Sequence, residues 1–125
     1  MSSFDAIVRA MQDDTPSETN AWRSQLRKGT LELAVLVLLR GQRRYGLKLV
    51  ELLNDAGLGV SEGSIYPLLA RLKAEKKVAT EWVEEAAGHA HKYYELTACG
   101  RETCAALLHA WRDYVACFER LSRSK

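Results

Sequence analysis

The apolar residues of this chain recur at helical spacing in most segments and alternate with polar residues in one. Near the start, four of them follow the i, i+3, i+4, i+7 spacing of an amphipathic helix: Phe4, Ile7, Val8 and Met11. Ser3 stands where an N-cap residue would satisfy the first backbone amides of that helix. The polar segment DDTPSETN that follows has the composition of a linker.

Two longer helices are predicted after this linker. Thr30 can cap the first, whose residues 31–39 are apolar almost all round and which Gly41 closes. A helix without a polar face must be buried on more than one side. Residues 45–56 form the second helix, which is amphipathic, and a turn with two glycines follows it.

The segment SEGSIYPLLARLKAEKK, residues 61–77, has the apolar spacing of a helix but carries Pro67 within it. Proline lacks an N–H and crowds the preceding turn, which costs about 3 kcal/mol in a helix interior. If Ser64 caps the helix, Pro67 falls in the first turn and costs little. If Ser61 caps the helix, Pro67 forces a small kink.

A helical wheel places small or compact residues opposite the leucine face of this segment: Gly63, Pro67, Ala70 and Ala74. Hydrogen-bonding and cationic side chains edge this strip: Ser64, Tyr66, Arg71 and Lys73. A strip of such low relief suits insertion into a nucleic-acid groove. The alternative is a solvent-exposed helix with one unusual proline.

A different pattern follows, because polar residues alternate with β-branched and aromatic ones in VATEWVEE and HKYYELT. With the glycine of AAGHA between them, these segments predict a hairpin of two strands. Two helices joined by a tight turn and followed by a hairpin outline a winged helix-turn-helix, whose second helix lies in the DNA major groove. The predicted fold is therefore mainly α with a small β-hairpin, and residues 61–77 are its recognition helix.

The remainder of the chain returns to a helical pattern. Its apolar residues are spaced alternately three and four apart, as in a coiled-coil seam: Cys104, Leu107, Trp111, Tyr114, Phe118 and Leu121. These are too many large apolar groups for one exposed helix, so a second copy of the chain is expected to cover them. Residues 31–39 are the natural second wall. The predicted dimer interface comprises Leu31, Val35, Leu107, Trp111, Tyr114, Phe118 and Leu121.

Charge adds a second indication, although the 125-residue chain has a net charge of only +2. Residues 21–60 hold seven basic side chains against three acidic ones, and a dimer would double this basic region, which could face a polyanion. The longest apolar run, residues 33–39, is far shorter than the roughly 18 residues of a membrane span. Without a signal-peptide pattern, the expected location is the cytoplasm, with no membrane partner.

Enzymes and metal sites are disfavoured by what the chain lacks. No GxSxG, HExxH or phosphate-binding loop occurs, and His89 and His91 have no acidic or cysteine partner at ligand spacing. We therefore expect neither a cofactor nor a metal. The three cysteines, Cys99, Cys104 and Cys117, lack CxxC spacing and are interpreted as small buried thiols on a helix.

Three stretches together resemble the PadR family of prokaryotic transcriptional regulators, in its short form with a single C-terminal helix: LRKGTLELAVLVLLRGQRRYGLKLVELL, SEGSIYPLLARLKAEKKV and KYYELTACG. The most specific parts are YG at the start of the second helix, SIYPLLARL in the recognition helix, and KYYELT followed by Gly100. The resemblance runs from about Trp22 to Leu121. It implies a homodimer that represses promoters and is often released from DNA by a small molecule.

Two features depart from the family pattern. The wing tip, usually basic in the family, reads Gly88, His89, Ala90, His91, Lys92 here, so its contact with phosphate would depend on histidine protonation. Residues 1–20 have no counterpart in the core pattern. We therefore divide the chain into an N-terminal helix and linker (1–20), a winged helix-turn-helix domain (21–96) and a C-terminal dimerisation helix (97–125).

The predicted partner is a double-stranded DNA operator with an inverted repeat. The expected contacts are Arg43, Arg44, Tyr45, Lys48, Ser61, Ser64, Tyr66, Arg71, Lys73, His91 and Lys92. The competing hypothesis is a winged-helix module for protein interaction or dimerisation without specific DNA binding, which the low net charge and the acidic EWVEE strand favour. Binding to duplex DNA across a salt series separates the two, because phosphate contacts produce a falling log–log slope.

Two roles are possible for the aromatic pair Trp111 and Tyr114 of the C-terminal helix. In a two-fold dimer, Trp111 either seals the interface as a large core residue or lines a pocket for a flat aromatic effector. Some short PadR-like regulators bind such compounds at the dimer interface, and a tryptophan on this helix is consistent with that use.

Overall fold

A computed structural model describes residues 17–124, so the helix predicted for residues 4–11 lies outside the described residues. The chain divides into two units between residues 31 and 32, within α1, the helix Ser17–Gly41. The structure describes residues 17–31 of the first unit and residues 32–124 of the second.

The described residues form four α-helices and a small antiparallel sheet. In chain order the elements are α1 (Ser17–Gly41), β1 (Arg44–Tyr45), α2 (Gly46–Asp55), α3 (Glu62–Ala74), β2 (Val78–Glu84), a 3-10 turn (Ala86–Gly88), β3 (Ala90–Leu96) and α4 (Ala98–Ser122). The strand order β1-β3-β2 confirms the predicted hairpin of β2 and β3. Strand β1, only two residues long, is too short for any alternation to reveal it in the sequence. The predicted fold class is confirmed.

The start of α1 differs from the sequence prediction. The helix begins at Ser17, so the linker assigned to residues 13–20 is wrong from that residue onward. Thr30 does not cap a helix, because it lies inside α1 and its Oγ1 donates a hydrogen bond to the Leu26 carbonyl at 2.9 Å. A threonine can bond back to the preceding turn in this way, so its presence alone does not start a helix. Glu18 in the first turn suits the positive end of the helix dipole.

The core of the second unit is built from one apolar face of each element. Its buried apolar side chains include Val35, Leu36, Leu39, Leu49, Leu53, Ile65, Leu69, Leu72, Val78, Tyr94, Leu96 and Cys104. Burying each Leu or Ile contributes about 1.5–3 kcal/mol, so this set fixes how α2, α3 and the sheet pack together.

The turn between α2 and α3 is held by one asparagine. Gly57 adopts a φ of +93°, and its amide and that of Leu58 bond back to the carbonyls of Asn54 and Leu53. The Asn54 side chain then clamps Val60, donating to its carbonyl at 3.0 Å and accepting from its amide at 2.7 Å. The predicted glycine turn is confirmed, and the Asn54 clamp that orients α3 is an addition from the structure.

Helix α3 begins after Ser61, which occupies the N-cap position without a side-chain cap bond. Its carbonyl accepts from the amides of Ser64 and Ile65. The alternative with Ser61 at the cap position is therefore confirmed, and Pro67 lies inside the helix. The kink expected with it stays a prediction. The carbonyl that Pro67 leaves without a helix partner belongs to Gly63, which is exposed to water.

The end of α3 is joined to the start of α4 through backbone contacts. The Thr97 amide donates to the Lys77 carbonyl at 3.1 Å, and Thr97 Oγ1 donates to the Lys76 carbonyl at 2.6 Å. Thr97 Oγ1 also caps α4 by accepting from the Gly100 amide at 3.0 Å. Gly100 is packed so closely that a Cβ there would overlap the Lys77 carbonyl oxygen. The ELTACG sequence is thus a joint between two helices.

Helix α4 leaves the core soon after this joint. Cys104 is buried, Leu107 and Leu108 are half-buried, and residues 109–124 are all exposed. Cys99 and Cys117 are exposed free thiols, so the prediction of three buried cysteines is wrong for two of them. Within residues 17–124, no helix combines the length and apolar character needed to cross a membrane.

Candidate nucleic-acid interface

The strip of small residues on α3 is exposed as predicted. Gly63, Pro67, Ala70 and Ala74 all lie on the solvent side of the helix. The opposite side buries Ile65, Leu69 and Leu72. Because the same helix gives its apolar face to the core, the low-relief strip is held outward.

Tyr66 stands beside this strip and covers the start of α2. A Cβ built on Gly46 would lie 2.6–2.8 Å from three atoms of the Tyr66 phenol, so only glycine fits beneath the ring in this position. A larger residue at position 46 would therefore require the Tyr66 ring to move. Burial raises the pKa of Tyr66 above its usual value, with a smaller contribution from the negative charge of Glu62. Its neutral hydroxyl is a hydrogen-bond donor and acceptor in an exposed position.

Two adjoining depressions separate α3 from the wing, which comprises β2, the 3-10 turn and β3. One is lined by residues at the start of α2 and on both wing strands, and the other by Ala70, Lys73 and Ala74 of α3. Tyr66, Lys92 and Tyr94 line both depressions. We call the combined surface the helix–wing groove.

Trp82 belongs to this groove and was not predicted as a site residue. It pairs with Lys92 across the hairpin, on the same face as the Thr80–Tyr94 pair. The base of that face packs into the core, whereas its tip extends past the core and leaves Trp82 68% exposed. Alternation alone places Trp82 on the same side of the hairpin as the buried residues, and so predicts that it is buried. The available signal for exposure was its position near the tip of the hairpin.

Lysines stand on the two sides of the groove. Across residues 17–124, no carboxylate oxygen lies within ion-pair distance of the Lys73 or Lys92 amino group. The Lys92 amino group lies 5.7 Å from the centre of the Tyr94 ring, on the groove wall. Both ammonium groups are therefore available to an anionic ligand.

Other predicted cationic contacts are engaged within the chain. Arg43 forms an ion pair with Glu81 at 3.1 Å, and Lys48 forms one with Glu51 at 3.4 Å. Arg44 is half-buried, and its Nε donates to the Leu38 carbonyl at 2.9 Å. Arg44 therefore fastens β1 to the end of α1, a structural role that the charge pattern could not distinguish from DNA contact.

Arg71 is engaged most strongly. Its guanidinium donates to Glu32 at 2.6 Å and to both carboxylate oxygens of Glu75 at 3.1 Å. These hydrogen bonds, to Glu32 first and Glu75 second, raise the pKa of Arg71 above its usual value. The structure brings Arg71 to a carboxylate cluster and away from the open strip of α3.

The remaining predicted contacts lie at the ends of the groove. Tyr45 precedes α2 and stacks on His91 with ring centres 4.4 Å apart. The His91 Nε2 is 3.9 Å from Glu85, which also accepts a hydrogen bond from Tyr93. That bond is the main cause of a raised pKa of Tyr93. The wing histidine is thus held in an aromatic and acidic network.

Ser61 and Ser64 lie together at the exposed N-terminus of α3. Their hydroxyl oxygens are 3.3 Å apart. In a helix-turn-helix protein this end of the recognition helix meets base edges and phosphates, and hydroxyl groups there can donate or accept.

The predicted dimer residues divide into two groups. Leu31 and Val35 are buried, and Val35 has no exposed surface left for a partner in this conformation. On α4, Leu107 is half-buried while the later members are exposed: Trp111, Tyr114, Phe118 and Leu121. The Tyr114 and Phe118 rings stack with centres 5.1 Å apart. Val115 lies exposed beside them and was missed, because it falls between the a and d positions of the seam.

The described elements define the class of fold: a winged helix-turn-helix. Residues 35–106, more than half of the chain, match the family of PadR-like transcriptional regulators. The chain therefore belongs to the PadR-like family. No significant match is found among curated proteins.

Solved structures agree with this assignment. The chain is 33% identical to a PadR-like transcriptional regulator from Bacillus cereus, with a TM-score of 0.75 over 81% of this chain and 99% of that one. A PadR-family regulator from Eggerthella lenta is 28% identical, with a TM-score of 0.73 over 98% of both chains. Bacillus subtilis PadR, solved in complex with operator DNA, is 23% identical with a TM-score of 0.57 over 62% of this chain and 46% of that one. This last likeness concerns the fold.

Proposed function

We propose that this protein is a homodimeric, cytoplasmic, DNA-binding repressor whose helix–wing groove seats one sugar-phosphate strand of its operator. The observation that carries the proposal is the pair of lysines without a carboxylate partner, Lys73 and Lys92, on opposite sides of a groove floored by small and aromatic residues. The operator complex of the related Bacillus subtilis PadR supports the same kind of partner.

The groove separates two kinds of contact. Lys73 and Lys92 suit phosphate, and the exposed face of Trp82 suits the apolar side of a deoxyribose. Ser61, Ser64 and Tyr66 offer neutral donors and acceptors that suit base edges in the major groove. We therefore expect the lysines to supply affinity and the neutral residues to supply sequence preference.

The first experiment measures binding of a labelled duplex of arbitrary sequence by fluorescence anisotropy across a salt series. The wild type should show a falling log–log slope. Lys73→Ala and Lys92→Ala should each lower its magnitude by about 1 for every phosphate that the variant no longer binds. Arg112→Ala, an equal charge change on α4, is the control and should leave the slope unchanged. A wild type without a salt-dependent slope would instead favour the protein-interaction module.

The second experiment tests sequence reading by Tyr66. Selection from a pool of random duplexes should return an inverted repeat, as expected for a two-fold symmetric dimer. Tyr66→Ala should weaken binding to the selected site by about 1 to 3 kcal/mol, the scale of one mismatched base pair. Unchanged affinity in a folded dimer would remove Tyr66 from the interface.

The dimer part of the proposal rests on the exposed apolar stripe of α4. Five side chains form it, with exposures between 37% and 67%: Trp111, Tyr114, Val115, Phe118 and Leu121. Such a stripe on one helix is an interaction site, and a second copy of the same stripe gives a closed two-fold interface.

Sedimentation tests the dimer. Phe118→Glu places two charges in the proposed seam and should give monomers at micromolar concentration. Ala116→Glu carries the same charge on the opposite side of α4 and should remain dimeric. A wild-type monomer would sink this part of the proposal.

Release by an effector is the third part of the proposal. Trp111 and Tyr114 stand next to each other on the stripe, so two copies would enclose an aromatic-walled space if the packing leaves one. Planar aromatic compounds should then quench tryptophan emission and lower DNA affinity in parallel. Because Trp22 and Trp82 also emit, Trp111→Phe is needed as the control and should abolish the response. Quenching without a change in DNA affinity would leave Trp111 as a residue that only seals the dimer.

A further inference from the structure

Four charged side chains form a closed cluster at the end of α3. Arg71 pairs with Glu32 at 2.6 Å and with Glu75 at 3.1 Å. Lys77 pairs with Glu75 at 3.0 Å and approaches the other oxygen of Glu32 at 3.9 Å. Each carboxylate thus meets both cations. Glu32 and Lys77 retain only 22% and 21% of their side-chain exposure, so the cluster is partly shielded from water.

The cluster bridges α1 and the end of α3, and the backbone of one member is bonded to the start of α4. Glu32 lies on α1, Arg71 lies on α3, and Lys77 follows α3 with its carbonyl bound to the Thr97 amide before α4. The position of the recognition helix is therefore tied at its C-terminal end to both long helices. A guanidinium bonded to two carboxylates has a defined direction, which a single ammonium group would not give.

The main contribution of this cluster is to geometry. Pairs at this level of exposure are worth little stability one by one, whereas a fork of hydrogen bonds fixes geometry. Moreover, the Arg71 donors that face Glu32 and Glu75 cannot also face a phosphate. The cluster therefore has more effect on the orientation of α3 than on whether the chain folds.

We propose that Arg71 is a positioning residue for DNA recognition: through Glu32 it holds α3 at the angle that presents the strip and Tyr66, and it does not bind phosphate. The inference rests on the proposed DNA-binding function and departs from the charge-based expectation that placed Arg71 among the DNA contacts. Its partner Glu32 acquires a role in DNA affinity despite its negative charge.

The two possible roles of Arg71 predict opposite signs for one mutation. If Arg71 positions α3, Glu32→Gln replaces its charge-assisted hydrogen bond with a weaker neutral one and weakens DNA binding roughly 5- to 30-fold. If Arg71 binds phosphate, Glu32→Gln loosens its hold on the guanidinium and removes a negative charge, so binding becomes tighter. Anisotropy titrations with the labelled duplex, in full-length dimeric protein, measure this sign directly.

Salt dependence and a double mutant complete the test. Arg71→Gln should weaken binding to a similar degree with an unchanged salt slope, and the Glu32→Gln/Arg71→Gln double variant should be no weaker than either single variant. Lys73→Gln, two residues away on the same helix, is the matched control and should lower the slope. Arg71→Lys keeps the charge but not the fork, so it should bind nearly as weakly as Arg71→Gln. A lowered slope for Arg71→Gln with retained affinity for Arg71→Lys would overturn the proposal.

Amide hydrogen exchange gives a readout that needs no DNA. Glu32→Gln and Arg71→Gln should both accelerate exchange at the C-terminal end of α3 relative to α2, while thermal unfolding and the sedimentation coefficient stay near the wild type. If exchange and affinity are unchanged, the positioning role is wrong. If exchange accelerates but the wild type binds no DNA, the proposed function fails, and a role in DNA recognition fails with it.

Discussion

Helices α3 and α4 flank the wing in the chain and have comparable apolar patterns. The apolar face of α3 is buried, whereas most of the apolar residues of α4 are exposed. Helix α3 buries Ile65, Leu69 and Leu72 completely within its own chain and keeps small, polar residues outside. Helix α4 buries Cys104 and then extends outward with its large apolar residues uncovered. The outer surface of α3 suits a polar partner, whereas the exposed apolar stripe of α4 suits an apolar one. This difference separates the proposed DNA-binding end from the proposed dimer end.

The largest effect is expected where the two helices are joined. Gly100→Ala should destabilise the chain by about 4 kcal/mol or more, because its Cβ would overlap the Lys77 backbone carbonyl, which cannot move without breaking the Thr97 bond. Gly63→Ala in α3 is the control: its Cβ would meet only Ser61 Oγ at 3.7 Å, so stability should change by less than about 1 kcal/mol. Urea unfolding measures both. Equal, small effects would contradict the close packing at Gly100.

A second pair of variants truncates one apolar residue on each helix. Leu69→Ala should cost about 2 to 5 kcal/mol at every protein concentration, since Leu69 is fully buried within one chain. Phe118→Ala should lower only the stability that comes from dimerisation, which rises with protein concentration, because Phe118 is 58% exposed in the single chain. Unfolding at several protein concentrations distinguishes the two. A concentration-independent loss for Phe118→Ala would mean that α4 is covered by its own chain.

A smaller effect is expected at the turn that orients α3. Asn54→Ala should destabilise the chain by about 1 to 3 kcal/mol, because the amide and carbonyl of the buried Val60 lose their partners. The neighbouring Asp55→Ala, at an exposed position, should stay within about 0.5 kcal/mol. Thermal unfolding of both variants checks this. The same loss of stability in both variants would assign the effect to the helix end and not to the clamp.

The smallest effect is expected just after α3. Lys76 adopts a φ of +62° at the helix end, a left-handed conformation that is strained for lysine but not for glycine. Lys76→Gly relieves this strain but adds entropy to the unfolded chain, so the net effect should be a stabilisation of about 0.5 kcal/mol. Lys73→Gly, the same change inside the helix, should destabilise it by about 1 kcal/mol. Denaturant midpoints resolve the opposite signs. Destabilisation by both changes would show that Lys76 contributes more through its side chain than its backbone costs.

The fold was predictable because it depends on patterns that neighbouring residues set together. The period of three to four identified α2, α3 and α4, and strand alternation identified β2 and β3, since one buried face imposes its spacing on a whole segment. The predictions of a cap at Thr30 and of a linker at residues 17–20 were wrong because one polar residue can cap a helix or bond back within it with similar ease. The pattern gave no means to choose between them.

The site was less predictable, since a positive charge in the sequence does not say what it faces. In the sequence, nothing distinguished four of the predicted cationic contacts from Lys73 and Lys92. In the structure these four meet carboxylates or a backbone carbonyl: Arg43, Arg44, Lys48 and Arg71. Glu32 and Arg71 are far apart in the chain, as are Arg43 and Glu81. Such pairs arise only when the helices and the wing pack together.

The sequence by itself determined which faces are apolar, where the glycines allow a turn or a close approach, and that the C-terminal helix carries a long seam of large apolar residues. These features depend on residue type and local spacing, which are written along the chain. Tertiary structure alone decided that Trp82 faces outward from the tip of the wing, that Lys73 and Lys92 are left without a carboxylate partner, and that Arg71 is held by Glu32. Each of these features depends on which residues, distant in sequence, lie close together in the fold. Packing of the core determines those contacts.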